Sequence, residues 1–451
     1  MSRSKTGLWV VLGLTSLALV IALGAAVGLV LRGHAAESPE RAARPSGGGD
    51  PATVVVTDAD VGKLVEEHGR ALAEGDLEAF MSIFDRTNAA LLRDQRRVFA
   101  NLRKVPLTDV SYQVLRRQGR AEDNFGRAVS FIQDVAFVHR FSGIDLRPVA
   151  EWYRWTIEKA SATAPLVVTR VGGAPPPALS GASKTMYYPA PWDVWPDISV
   201  VRANGSLVLA RPEDAALATR TALIVAAAAS DVRRFWSGAG ERGAPVPGGY
   251  VVALAKGPAQ LGNLFRKEKA NEAGVAIPMP SWKGTEIGGT RIVVDTTSPF
   301  FGTTAGIREV VTHELAHALL AGVDNAEYSL FGKPKWIVEG FAEYVANRGK
   351  PIRSNLRYAQ GRAYLAGRPP VRLPDNTFWD YKGMTGVNYL MGHLAMRHIA
   401  GRYGERKLVQ GVVAAYRVSG DESQAALLET LGVSETSFER DWAAYVRRQL
   451  A

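Results

Sequence analysis

Cysteine is absent from this chain of 451 residues. A protein without cysteine forms no disulfide bridge, holds no thiolate-ligated metal and uses no cysteine nucleophile. Any metal site must therefore be built from histidine and carboxylate side chains. The absence says nothing about compartment, because proteins without cysteine are compatible with reducing and with oxidising surroundings.

Acidic residues are fewer than basic ones, 44 against 54, and the formal net charge is +10. A nucleic-acid-binding protein normally concentrates such an excess in one basic run or in a recognisable module. Here the excess is mostly arginine scattered through predicted helices, so we predict no nucleic-acid partner. The length and an apolar content of 47% indicate a globular chain of two or three domains.

A long run without charged residues occupies positions 7–31. A helix of about 20 apolar residues spans a bilayer, whereas the apolar part of a signal peptide is about half as long. We therefore predict a transmembrane signal anchor, with a cleaved signal peptide as the alternative because small residues follow the run. Arg3 and Lys5 outweigh the single arginine after the run, which predicts a single-pass cell-membrane protein with residues 1–6 cytoplasmic and the remainder outside.

Residues 57–172 follow a flexible linker at 32–56 that is rich in Ala, Pro, Gly and Ser. Three helical patterns come first, and four strand patterns follow at 110–116, 128–141, 150–159 and 166–171. Helices followed by antiparallel strands predict an α+β unit in which the sheet covers the helices. This order, with the turn at 74–80, resembles the nuclear-transport-factor-2-like cone fold. We predict a packing role for it, since no convergent polar set marks a ligand pocket.

Residues 173–196 are rich in proline and predict a connector between two domains. Trp192 and Trp195 lie beside prolines within it. Such residues either form a recognition surface or anchor a loop onto a sheet, and we predict anchors. The second domain, residues 197–451, begins with a hairpin signal at Asn204-Gly205 and an alanine-rich helix pattern.

The most informative motif is His-Glu-Leu-Ala-His, on a helix predicted over residues 303–321. Residues four apart share a helix face, so His313 and His317 present two imidazoles to one metal ion. Glu314 lies about a hundred degrees further round the helix, within reach of a water molecule on that metal without being a ligand. Two nitrogens, one carboxylate and an open position suit a catalytic zinc, and we predict one Zn²⁺ per chain.

A second acidic segment, residues 336–344, follows the motif. Glu339 and Glu343 share a face of its predicted helix. Glu339 can complete a set of two histidines and one carboxylate around zinc. Glu343, one turn later, is placed to accept the free ring N–H of a ligand histidine, which fixes the tautomer of that ring.

The motif and the later run Trp-x-x-Glu-Gly-x-Ala-x-Tyr resemble the gluzincin metallopeptidases, and among them the peptidase-MA-like group. The resemblance covers roughly residues 197–451 and implies a mainly helical zincin-type domain with a small sheet. It implies that both motif histidines and Glu339 bind zinc and that Glu314 is the general base. Members of the group also pair a β-strand with the extended substrate backbone, and residues 292–295 are the candidate for that edge strand.

Residues 388–408 are similar to the helices that close the site in that family. Peptide hydrolysis needs a donor that stabilises the oxyanion. Tyr389 and His393 are the candidates, one helical turn apart, and a core role stays open for each. The other histidines show no partner pattern and are interpreted as ordinary residues: His34, His68, His139 and His398.

These features predict a membrane-anchored zinc metallopeptidase that hydrolyses peptide bonds of a peptide or protein substrate outside the cytoplasm. One alternative is a non-catalytic binding or scaffold protein with a structural zinc, which would have no use for Glu314. The other is a metal-dependent hydrolase of another substrate class or an aminopeptidase. Aminopeptidase relatives usually carry a Gly-x-Met-Glu-Asn-like stretch ahead of the motif, and the sequence contains none.

Overall fold

Two β-sheets with helices packed on them organise the chain, which gives the α+β class that the sequence predicts. The computed structural model describes residues 54–115, 130–175, 185–240, 244–266, 272–324, 332–367 and 372–451. The predicted anchor at 7–31 lies outside these ranges and stays a prediction.

Helices come first and an antiparallel meander follows, as predicted for the amino-terminal unit. The helices are α1 (Asp58–Glu74), α2 (Leu77–Met81) and α3 (Ala89–Leu102), and the strands are β1 (Leu107–Val114), β2 (Ser130–Phe141), β3 (Val149–Glu158) and β4 (Val167–Gly173). The strands pair in the order β1-β2-β3-β4. Aromatic side chains from both layers fill the space between them, among them Phe80, Phe137 and Trp155. Their burial stabilises the helices on the sheet.

The connector packs into the core by its two tryptophans. Trp192 lies within the short helix α4 (Pro191–Val194) and is 0% exposed. Trp195 directly follows that helix and is 4% exposed. The side chain of Asn101 donates to the carbonyl oxygen of Trp195 at 3.0 Å. The prediction that these tryptophans anchor the connector is confirmed.

The second sheet contains β5 (Ser199–Ala203), β6 (Ser206–Ala210), β7 (Val251–Ala255), β8 (Gly274–Pro280) and β9 (Ile287–Asp295), in the order β5-β6-β7-β9-β8. β5 and β6 form the predicted hairpin, whose turn residues Asn204 and Gly205 have φ of 45° and 83°. The long helix α5 (Ala215–Ala239) connects β6 to the parallel strand β7, and α6 (Pro258–Asn263) follows.

β8 lies at one edge of this sheet and β5 at the other, so the prediction that residues 292–295 form an edge strand is wrong. Those residues belong to β9, which is hydrogen-bonded to β7 on one side and to β8 on the other. The sequence pattern of β8 conceals it, because Pro278 and Pro280 interrupt the run. Proline has no N–H to donate and is therefore tolerated on a strand with one free edge.

Both faces of the second sheet are buried, which explains why its strands are continuous apolar runs. Val252 and Ile292 face the helices of the carboxy-terminal part, whereas Val251 and Val293 pack with the amino-terminal unit. Alternate residues of a strand point to opposite faces, so one sheet joins two apolar cores.

Arg291 projects from β9 toward the amino-terminal unit and is 0% exposed. Its guanidinium donates to both carboxylate oxygens of Asp145, at 2.6 and 2.9 Å. The Phe141 ring lies under the guanidinium, with its centroid 4.5 Å from the guanidinium carbon. The Phe141 backbone N–H donates to Asp145 at 2.8 Å. This ion pair therefore fastens the strand ahead of the His-Glu-x-x-His helix to the first sheet.

Replacing Arg291 with Met should lower the free energy of unfolding by about 3–5 kcal/mol, because it leaves the Asp145 carboxylate buried without its cation. Urea denaturation monitored by tryptophan fluorescence measures the change. Arg234→Met is the control, since Arg234 pairs with Asp231 at the surface with 76% of its side chain exposed. That variant should lose less than about 1 kcal/mol. Equal losses in the two variants would contradict the assigned role of the buried pair.

Seven helices complete the carboxy-terminal part: α7 (Thr304–Leu319), α8 (Lys335–Ala346), α9 (Tyr358–Ala366), α10 (Thr385–Tyr403), α11 (Glu405–Tyr416), α12 (Gly420–Leu431) and α13 (Glu435–Leu450). α8 and α10 cross where Gly340 meets Gly392. A Cβ on Gly340 would lie 2.6 Å from the Gly392 carbonyl oxygen, so only glycine permits this approach.

One helical segment of the described ranges, Pro212–Ala239, has the length and hydropathy of a membrane span. Half of its most apolar window is buried in this structure. Ala222, Val225 and Ala229 are among its core residues, together with Val310 and Leu315 of α7. A buried helix of a globular core has the same composition, so this segment adds nothing to the prediction for residues 7–31.

Candidate metal centre

The helix α7 carries the His-Glu-x-x-His motif. The Thr303 side chain accepts the backbone N–H of Gly306 at 3.0 Å and so caps its first turn. The apolar side of the helix, including Val311 and Leu315, is buried in the core. That packing fixes the rotation of the helix and leaves the two motif histidines on the opposite side, partly exposed.

Three donor atoms meet at this side of α7. His313 Nε2 and His317 Nε2 are 3.2 Å apart, and Glu339 Oε2 of α8 lies 3.2 Å from the first and 3.6 Å from the second. Tetrahedral zinc with bonds of about 2.1 Å separates its ligand atoms by about 3.4 Å. The spacing of the three side chains therefore fits one metal ion. Their side chains are 13%, 15% and 21% exposed, so solvent and a substrate can reach the site.

Hydrogen bonding at His313 supports this fit. Glu343 Oε1 lies 3.3 Å from His313 Nδ1, so the ring donates its Nδ1–H to that carboxylate. The lone pair of Nε2 then points toward Glu339, which as a carboxylate also only accepts. Lone pairs that converge in this way need a cation between them, and such a cation can be a proton or a metal ion.

The charges at the site attract a cation. Burial opposes a charge on His313, but its bonds to Glu339 and Glu343 raise its pKa to about 10. Burial likewise opposes the charge on Glu339, yet His317 and His313 hold the pKa of that carboxyl well below its ordinary value. A divalent cation carries more positive charge than one proton, so the same carboxylates can hold it in place.

Glu314 lies next to the cluster but is not part of it. It is 6% exposed, and burial raises its pKa above the ordinary value, although both motif histidines oppose that shift. The start of the edge strand β8 lies against it, since a Cβ on Gly274 would be 3.0 Å from Glu314 Oε1. The carboxyl group of Glu314 thus lies against the first residue of β8 and close enough to the two histidines for their charges to lower its pKa.

Tyr389 of α10 reaches the cluster. Its ring centroid is 6.1 Å from that of His313 and 5.3 Å from that of Trp379. Burial and the nearby Glu339 raise its pKa well above the ordinary value, so the phenol keeps its proton and remains a donor. This is the property that an oxyanion-stabilising group requires.

His393, the other candidate donor, is 1% exposed. Its Nδ1 lies 3.3 Å from the side-chain nitrogen of Asn355, which donates to it. Burial lowers its pKa to about 4 and keeps the ring neutral. The structure therefore places Tyr389 beside the three clustered donor atoms. It buries His393 in the core next to Asn355.

Sequence reasoning missed Arg357, just before α9. Its guanidinium donates to Glu343 Oε1 at 3.0 Å and lies over the Tyr389 ring, 4.7 Å from the centroid. One cation thus touches both the carboxylate that orients His313 and the tyrosine at the cluster. No motif surrounds Arg357 in the sequence, so only the contact identifies it.

No family model and no curated protein matches this chain. Among solved structures, the M1 zinc metallopeptidase from Deinococcus radiodurans is similar at a TM-score of 0.32 and 16% identity. The similarity covers 75% of this chain and 69% of that one. A likeness at this TM-score carries no argument about activity.

Proposed function

We propose that this protein is a zinc-dependent peptidase, with His313, His317 and Glu339 as zinc ligands and Glu314 as general base. The proposal rests on one observation. Three donor atoms 3.2 to 3.6 Å apart match the ligand spacing of zinc, with a buried carboxyl group beside them. A purely structural zinc needs no such carboxyl, so its presence favours catalysis over a scaffold role.

A zinc ion at this site would supply Lewis acidity, which makes water more acidic and a carbonyl carbon more electrophilic. Glu314 takes the proton of the attacking water and delivers it to the nitrogen of the leaving amine. Its raised pKa suits both steps, since the group must bind and then release a proton near neutrality.

While the water attacks, negative charge develops on the carbonyl oxygen of the substrate. The phenolic O–H of Tyr389 donates a hydrogen bond to that oxygen. Glu343 keeps His313 in the tautomer whose Nε2 lone pair faces the cluster. Arg357 holds Glu343 and the Tyr389 ring together.

The substrate class follows from the edge strand. In the described part of the chain β8 pairs with β9 on one side and with no strand on the other, and its first residue, Gly274, lies against Glu314. An extended polypeptide that added to this edge would place its backbone beside the general base. We therefore propose a peptide or protein substrate. Binding along an edge strand favours cleavage within a chain over removal of an amino-terminal residue. The sequence also contains no Gly-x-Met-Glu-Asn-like stretch that would bind a terminal amine.

The same proposal includes a location. The uncharged run at 7–31, after Arg3 and Lys5, supports a single-pass anchor with the peptidase domain outside the cytoplasm. We also propose that residues 57–172 form a nuclear-transport-factor-2-like domain. It is supported by the order of three helices and a four-stranded meander.

Metal removal tests the proposed function. The purified chain should contain about one zinc and cleave fluorescein-labelled casein, an unstructured protein. Treatment with 1,10-phenanthroline should abolish cleavage, and Zn²⁺ should restore it where Mg²⁺ does not, because imidazole ligands favour zinc. Cleavage that survives removal of the metal would contradict the proposal. A bound zinc without hydrolysis of any peptide would instead support a structural site.

A further inference from the structure

Two large aromatic side chains lie exposed on the segment between α9 and α10. Phe378 is 59% exposed and Tyr381 51% exposed, and their rings meet edge to face with centroids 6.0 Å apart. We call this pair the aromatic rim. Exposed apolar area costs free energy in water, and a contiguous patch of it commonly marks a binding surface.

The segment that carries the rim is held firmly. The Asn388 side chain donates to the carbonyl oxygens of Phe378 and Trp379 at 3.3 and 2.7 Å. Asn376 accepts the backbone N–H of Lys335 at 2.7 Å. The rim is thereby fastened to both helices of the site, α8 with Glu339 and α10 with Tyr389.

A buried tryptophan, 2% exposed, links the aromatic rim to the candidate metal centre. Trp379, which lies between the two rim residues in sequence, packs edge to face on Tyr389, and Tyr389 reaches the His313 ring. A third exposed apolar residue, Leu356 at 66%, directly precedes Arg357, which lies over Tyr389. Leu356 and the aromatic rim thus lie on segments that are distant in sequence. Each is next in the chain to a residue that contacts Tyr389, which is Arg357 for Leu356 and Trp379 for the rim.

We propose that the aromatic rim, Phe378 and Tyr381, binds an apolar side chain of the polypeptide substrate, preferentially an aromatic one. This inference rests on the proposed peptidase function and adds a specificity determinant to it. An aromatic ring fits against such a pair edge to face or offset, and gains from both contact area and ring geometry. A small or an acidic side chain gains little from the rim.

The test uses fluorescein-labelled peptides of Ala, Gly and Ser, with one Phe placed at each position in turn, and a parent peptide without Phe. The protein of residues 1–451 is kept in mild detergent. With Phe at one or two of the positions, its kcat/KM should be about tenfold higher than for the parent peptide. Phe378→Ala combined with Tyr381→Ala should remove that preference, a difference of about 1.4 kcal/mol. The ratio of kcat/KM for the Phe peptide to kcat/KM for the parent should then be about one.

Leu223→Ala is the matched control, because Leu223 is an exposed apolar residue, at 68%, on the distant helix α5. It should keep the preference for Phe. Zinc content and melting temperature should stay at wild-type values in all variants, since the altered side chains are exposed. A rim variant that keeps the preference, or that loses cleavage of both peptides equally, overturns the proposal.

Fluorescence anisotropy separates this inference from the proposed function. Peptide binding is measured in a Glu314→Gln background, with and without the rim substitutions. Phe-dependent binding that the rim substitutions remove, together with a wild-type chain that cleaves none of the peptides, would support the rim and refute the peptidase. Cleavage without any preference for Phe would refute the rim alone.

Discussion

Replacing Glu314 with Gln should lower kcat by about 10²–10⁴-fold while the metal stays bound. Glutamine keeps the size of the side chain but cannot accept the proton of the attacking water. The three proposed ligands are untouched, since Glu314 is not among the clustered donors. Metal analysis of the purified variant and single-turnover cleavage of labelled casein measure the two effects separately.

Glu309→Gln is the control for this variant, because Glu309 lies one turn earlier on the same helix and pairs with Lys350 at 3.3 Å. It should leave kcat within about twofold, as expected for the loss of a weak surface pair. Full activity in Glu314→Gln would show that another group acts as base. Loss of metal from that variant would mean that Glu314 is itself a ligand.

The second large effect is expected for His317→Ala, which should reduce bound zinc from about one per chain to nearly none after dialysis. The substitution removes one of three donors and leaves a two-ligand site that binds zinc far more weakly. Activity should fall to background with the metal. After the metal has been removed, added zinc should raise the melting temperature of the wild type but not of the variant, because zinc binds the folded site and the variant lacks one of its ligands.

His398→Gln serves as the comparison for that variant. His398 lies on α10, where its ring packs near Phe438 and Tyr445 instead of the cluster. This variant should retain its zinc and its response to added zinc. Equal zinc content in His317→Ala and in the wild type would contradict the assigned metal centre.

Much of the candidate site follows from local rules. His313 and His317 share a face because of the helical repeat, which needs no tertiary information. Glu339 follows from the second motif, but its approach to the two histidines depends on the packing of α8 against α7. The four strands of the amino-terminal unit and the motif helix likewise lie within a few residues of their predicted positions, whereas α9, α12 and α13 were not predicted. Strand β8 escaped prediction because its prolines interrupt the apolar pattern, and strand order depends on pairing partners that no local pattern records.

Contacts between distant segments account for the other differences. Tyr389 and His393 are equivalent by sequence, one turn apart on α10, yet packing turns the first to the cluster and buries the second beside Asn355. Arg357 is one of many arginines in the sequence. Its role depends on Glu343 and Tyr389 lying within reach, which is a property of the folded chain.

The sequence by itself determined the chemistry that is open to this protein. Without cysteine, a metal must bind histidine and carboxylate, and the helical repeat places two histidines and a potential base on one short segment. The tertiary structure alone decided which strands form the edges of the sheet, which of the two candidate donors lies beside the motif histidines, and which aromatic residues stay exposed. Helix periodicity acts over a few residues, whereas these features arise from packing between segments far apart in the chain.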